Sequence, residues 1–224
     1  MIKCIFILAI IFFGLNVFGQ KKIIIKFEHI ANGKKIVLND STYTNTFGEK
    51  YTVSKIKYYV SNISFATKHK LEIDKKVYLI DAYKNDSIIK HDQKKIVGIS
   101  FNIGIDSALN CSGAQSGALD QLNDMFWTWN NGYVFFKLEG TSSSSTADRN
   151  RIEQHIGGYK GAYKAQRQIF LPIKKIGNTI TIQMDLDKYW SNIKIAENPV
   201  ISAPGKQAKM AADGFLGMWR VIGS

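Results

Sequence analysis

Met125-Phe126-Trp127-Thr128-Trp129 places two of the four tryptophans of this chain two positions apart. On an extended strand alternate side chains share a face, so Met125, Trp127 and Trp129 are expected to line one surface. Two imidazoles stand elsewhere, one in Phe27-Glu28-His29 and one in His155-Ile156-Gly157-Gly158. Indoles, a thioether and neutral imidazoles are the ingredients of soft-metal or redox chemistry rather than of hydrolysis. The same residues also make ordinary core. Large aromatics alternating on a sheet face are common packing, each contributing about 2–3 kcal/mol by burial, and an inward histidine such as His29, in phase with Ile23, Ile25 and Phe27, is often just a satisfied core residue. The two readings make different demands. A shared site requires the ligating nitrogens of His29 and His155 to lie within about 4 Å of each other, since metal–nitrogen bonds are near 2 Å.

Other chemistries lack their residues. Gly113-Ala114-Gln115-Ser116-Gly117 has the wrong spacing for a nucleophile elbow, and there is no His-Glu-x-x-His, no phosphate-cradling glycine loop followed by lysine, and no Cys-x-x-Cys. His69 and His91 have lysine neighbours that oppose a cation. Asp106, Asn110 and Asp120 supply oxygens of the kind calcium takes, but a polar loop more readily satisfies them with its own backbone. No catalytic set emerges, and a non-enzymatic protein is expected.

The 224-residue chain carries a formal charge of +12. Residues 1–19 read as a signal peptide, with Lys3 before an apolar run too short to span a bilayer and small residues before Gln20. The mature chain, 20–224, is then one periplasmic or secreted domain without a transmembrane anchor. Cys4 leaves with the signal, and Cys111 alone makes no internal disulfide, so the core must hold the fold. The lysines are scattered in pairs such as Lys34-Lys35, Lys75-Lys76 and Lys174-Lys175. They form no basic run interleaved with aromatics, which with export excludes nucleic acid; an acidic protein or an anionic membrane surface suits the charge better. The sequence does not fix the oligomeric state.

Seven segments are rich in β-branched and aromatic residues and are bounded by Gly, Asn, Asp and Lys: 23–30, 51–66, 77–82, 95–103, 125–139, 166–173 and 178–186. Many short strands without alternating helices predict an all-β, antiparallel β-sandwich. One short C-terminal helix is expected after Pro204, where Ala208, Ala211, Ala212, Phe215 and Trp219 recur at helical spacing. Asn131-Gly132 signals either a hairpin turn or a bulge within one long strand. Residues 141–146, Thr-Ser-Ser-Ser-Ser-Thr, read as a flexible loop near the His155 segment.

Phe27-Glu28-His29, Tyr58-Tyr59-Val60-Ser61-Asn62-Ile63, Ser100-Phe101-Asn102-Ile103-Gly104-Ile105-Asp106-Ser107, Gly113 to Asp120, Met125 to Trp129, Gly132-Tyr133, Leu138-Glu139-Gly140 and His155 to Gly158 occur in an order and spacing that resemble the MbnP family. The resemblance implies a periplasmic copper protein partnered with a di-haem enzyme of the MbnH type. It implies a site of histidines together with kynurenine, made when the partner oxygenates a tryptophan. Carried over by motif, His29 and His155 would be ligands, Met125 a further soft donor, and Trp127 or Trp129 the oxidised residue, with Cu(I) favoured over Cu(II). Asp120 and Glu28 are candidates to orient the imidazoles. The rival reading is a binding module, for carbohydrate or another partner, that stacks its ligand on Trp127 and Trp129 without metal.

Overall fold

In the computed structural model, residues 23–84, 96–128, 130–174 and 177–222 are described in full and 87–91 by their backbone. The expected signal segment, 1–19, lies outside the described residues, as does Trp129. Among the described residues no helix is long and apolar enough to cross a membrane.

Two sheets face each other. The smaller has five strands: Trp219–Ile222, Thr179–Asp185, Ile23–Ala31 and Lys34–Lys35 in order, with Ser87–His91 also pairing the first strand. The larger has nine. Its path runs Arg167–Pro172, Ile96–Ile103, Lys55–Thr67, Gly132–Thr141, Arg151–Gly157 and Val200–Ile201; Leu71–Asp74 and Tyr78–Asp81 also pair Lys55–Thr67, and Phe126–Thr128 pairs Gly132–Thr141. The all-β sandwich read from the strand pattern is present. Pairing is mostly antiparallel, but Ile23–Ala31 runs parallel to Thr179–Asp185 and Arg151–Gly157 parallel to Val200–Ile201. Residue pattern does not encode that choice, because parallel neighbours are set by the path of the chain between them.

The core lies between the sheets. Ile23, Ile25 and Phe27 alternate inward from the first strand, and Phe27 meets Tyr58, Phe101 and Trp219 edge-on at ring separations of 6.0–6.2 Å. Tyr58 also stacks on Phe136, 6.1 Å away, and Phe136 meets Tyr189 and Phe215. The C-terminal helix, Lys206–Asp213, covers one part of this core with Ala208, Ala211 and Ala212. Phe215 follows in a 3-10 turn, and Trp219 begins the last strand rather than continuing the helix.

One irregularity sets the faces of the large sheet. Asn62 adopts φ 48° within Lys55–Thr67, and the pairing to Ile96–Ile103 shifts register between Ser61 and Ser64. This is a β-bulge, and it changes which residues point inward. Before it, Ile56, Tyr58 and Val60 face the core; after it, Ile63 and Phe65 do.

One loop expectation is corrected and one is met. Ser142 and Ser145 are buried, their hydroxyls donating to the Lys50 and Arg151 carbonyls at 2.6 Å, so the serine run is an ordered turn. Hydroxyls that find backbone acceptors give a polar stretch its own fixed structure. The Asn131-Gly132 signal does mark a chain reversal: Phe126–Thr128 pairs back on Gly132–Thr141, with Gly132 at φ 75°. A Cβ at Gly132 would lie 2.4 Å from Asn110 Oδ1, an atom that accepts from the Tyr133 N–H, so this glycine also seats the preceding loop.

Candidate functional site

His29 closes the inward series of the first strand and is buried. Its Nε2 is hydrogen-bonded to the Tyr58 hydroxyl at 3.0 Å. Burial, with Lys35 nearby, lowers its pKa to about 4, so the ring is neutral at physiological pH. A cavity of about 600 Å³, lined also by Lys26, Lys35, Val37, Leu38 and Tyr83, opens beside it.

His155 is in the Arg151–Gly157 strand, directly opposite Lys137, which in turn is opposite Lys57. One position along, Ile156, Phe136 and Tyr58 form the adjacent row. Tyr58 and Phe136 belong to the aromatic core, so the row containing His155 faces away from it. There the His155 Nε2–H donates to Glu139 Oε1 at 3.0 Å. Lys55 bridges Glu139 and Asp124 at 2.9 and 3.1 Å, and the nearly buried Lys137 contacts Asp124 at 2.9 Å. The His155 hydrogen bond, against the opposing effect of burial and assisted by Lys55, holds the Glu139 carboxyl down to about 2. At Asp124 burial raises the pKa, but Lys137 and Lys55 outweigh it and the carboxyl stays below its usual range.

The structure therefore does not bring His29 and His155 together. They lie on opposite sides of the large sheet, one through Tyr58 and the other with Glu139, and no single ion reaches both. The expected two-histidine site is corrected on that ground. Glu28 and Asp120 do not orient the imidazoles either: the Glu28 carboxylate accepts from Gln183 and Asp120 caps the Leu122 N–H. The partners are Tyr58 and Glu139. Both stand inside the motifs quoted above, but only strand register shows which face each occupies.

Trp127 stands against the strand that carries His155. Its ring covers Gly157, two residues further along the same strand, and a Cβ on Gly157 would lie 2.7 Å from Trp127 Cζ3 and 2.6 Å from the Tyr133 carbonyl oxygen. Gly157 and His155 have Cα atoms about 6.5 Å apart along the strand, and the pairing to Gly132–Thr141 shifts register between Val134 and Phe136, opposite Gly157. The Trp127 Nε1–H is buried without a hydrogen-bond partner among the described residues, a condition most buried indoles avoid. Phe126 packs on Tyr133, with ring centroids 4.9 Å apart. Met125 is wholly buried in the core, and Cys111 is exposed and free.

As a metal site, the unmodified arrangement is short of donors. Among the described residues no three His, Cys, Asp or Glu side chains gather as a ligand group. The Glu139 and Asp124 oxygens beside His155 are already engaged by two ammonium groups, and an intact indole offers no in-plane lone pair. What remains is one imidazole and one large oxidisable ring, the latter lying on Gly157 of the same strand.

No curated protein matches the chain. Among solved structures, MbnP from Methylosinus trichosporium superimposes with a TM-score of 0.65 at 13% identity, over 89% of this chain and 97% of that one, which shows a shared fold. The family model described as MbnP matches residues 20–205, well over half the chain. With the family model matched over most of its length and the fold shared with a solved member, the chain belongs to the MbnP family.

Proposed function

We propose that this chain is an exported, non-enzymatic copper protein whose site is completed after synthesis, when a di-haem partner of the MbnH type oxidises Trp127 beside His155. The observation that carries the reading is the placement of Trp127: its ring rests on Gly157, next to a histidine whose orientation is fixed by Glu139. Oxygenation cleaves the indole C2–C3 bond with one oxygen added at each carbon, and hydrolysis then releases formate. The oxidant, dioxygen or peroxide, is handled by the partner's haems. The product, kynurenine, carries an aniline nitrogen and a ketone oxygen where the indole had no donor.

His155 and the oxidised Trp127 side chain would then hold copper, which supplies a soft, redox-active centre. Glu139 fixes the tautomer and angle of the imidazole, as metal-binding histidines commonly require. Lys55 and Lys137 neutralise the adjacent carboxylates, which leaves neutral nitrogen donors and favours Cu(I) over Cu(II). His29 has no part in this site, and neither has Met125. The rival stacking module finds less support, because a sugar platform presents an open indole with an available N–H and the Trp127 Nε1 is buried.

The test is to prepare the protein with and without the di-haem partner and to compare intact mass, peptide maps and copper titrations. Co-production is expected to convert Trp127 and raise copper affinity by on the order of a hundredfold, a gain removed by Trp127→Phe or His155→Ala and kept in His29→Gln. Full affinity in the unmodified protein, or conversion confined to a residue other than Trp127, would sink the proposal.

A further inference from the structure

Away from the site, the large sheet carries apolar side chains on its outer face. Beyond the Asn62 bulge four strands lie side by side: Leu71–Asp74, Lys55–Thr67, Ile96–Ile103 and Arg167–Pro172. Register sets two rows across them. Ile73, Ser64, Ser100 and Phe170 form one; Leu71, Ala66, Gly98 and Pro172 form the next. Their neighbours Phe65, Ile99, Phe101, Ile169 and Leu171 point into the core, so both rows point outward. Leu71, Ile73 and Phe170 are 60%, 57% and 66% exposed, which is far more than a strand facing the interior would leave. The floor between them is small, and Phe170 leans over Gly98, where a Cβ would touch its ring at 3.3 Å.

Among the described residues lysines border this face, and no carboxylate points out from it. Lys68 occupies the exposed turn before Leu71, Lys174 follows Pro172, and Lys75 and Lys76 leave the other end of the Leu71–Asp74 strand. The two nearby carboxylates alternate to the opposite side of that strand and are engaged: Glu72 pairs with Lys70, and Asp74 accepts the Tyr78 hydroxyl at 2.6 Å. Apolar side chains standing out from a flat surface, with ammonium groups around them, match the interface of an anionic bilayer, where the chains enter the headgroup boundary and lysines meet phosphates. The rows offer only two hydroxyls for directional hydrogen bonding, those of Ser64 and Ser100, which fits a fluid lipid surface better than a specific protein epitope.

We infer that the face bearing Leu71, Ile73 and Phe170 docks the protein reversibly on anionic lipid. The probe is sedimentation of the full chain with vesicles of phosphatidylcholine alone, or of phosphatidylcholine mixed with phosphatidylglycerol. Binding is expected to the mixed vesicles, to weaken with added salt, and to fall by roughly tenfold or more in Lys68→Glu/Lys174→Glu and in Leu71→Ser/Ile73→Ser/Phe170→Ser. All these side chains are on the surface, and circular dichroism with thermal melts confirms that the variants fold. Absence of binding to mixed vesicles, or binding that survives the triple substitution, overturns the inference. Light scattering that shows a dimer broken by the same triple substitution overturns it as well, assigning the face to a second copy of the chain; so does capture of an acidic protein without lipid binding.

Discussion

The free energy of unfolding is expected to fall by about 3 kcal/mol between pH 7 and pH 4, most of it through His29. In the fold its pKa is lowered from 6.5 to about 4, because a charged imidazole beside Tyr58 would lose its hydration and Lys35 adds repulsion. Between those values the unfolded chain binds a proton that the native chain refuses, so stability is complete above pH 6.5 and drains away as the pH falls toward 4. Glu139 and Glu49 have the same dependence on pH but act lower. Glu49, whose burial would raise its pKa, is held down instead by the backbone N–H of Ala196, by Asn45 and by the N–H of Ile195. Their contributions are present above the usual carboxylate pKa and are lost beneath about pH 4.5. Urea titrations across this range would separate the two sets. His29→Gln, which keeps an acceptor for the Tyr58 hydroxyl without a titrating ring, is expected to flatten the profile above pH 4.5; an unchanged slope in that variant would assign the effect elsewhere.

Gly157→Val is expected to cost about 3 kcal/mol and to remove Trp127 as a substrate for oxidation. The new Cβ would fall 2.6 Å from the Tyr133 carbonyl oxygen and 2.7 Å from the Trp127 ring. The carbonyl belongs to a central strand and cannot move freely, so the indole must lift away and the pairing of Gly157 with Val134 must loosen. A shift in tryptophan emission together with a lower urea midpoint would report the displacement. Equal stability, with Trp127 still converted by the partner, would show that the glycine does not shape the site.

Much of the sandwich is legible from residue pattern. All seven strand segments expected from β-branched and aromatic runs contain strands, although Tyr51–Ala66 is broken at Val53–Ser54 and Met125–Glu139 folds back on itself. The strand that carries His155 is not legible in this way. Arg-Ile-Glu-Gln-His-Ile-Gly alternates, but its inward positions include Gln154, fully buried only because Tyr189, Asn198 and Pro199 supply hydrogen bonds from distant parts of the chain. A buried glutamine looks like surface until those partners are known. The faces of the two histidines depend on long-range register in the same way. His29 aligns with Ile25 and Phe27 by alternation alone, whereas the side on which His155 stands is decided by its pairing through Phe136 and Lys137 to Tyr58 and Lys57. The motif order pointed to the family; the pairing divides what those motifs had seemed to combine.

The bulge at Asn62 has a consequence for how this protein can change. It acts like a frameshift that alters phase without altering length, so the two ends of Lys55–Thr67 are read in opposite parity. At one end odd positions face out and carry Lys55 to Glu139 and Lys57 to Asp81; at the other, even positions face out and carry Ser64 and Ala66 beneath the apolar rows. Substitutions at either end therefore belong to separate alphabets, and one outer surface can be rewritten while the other keeps its text.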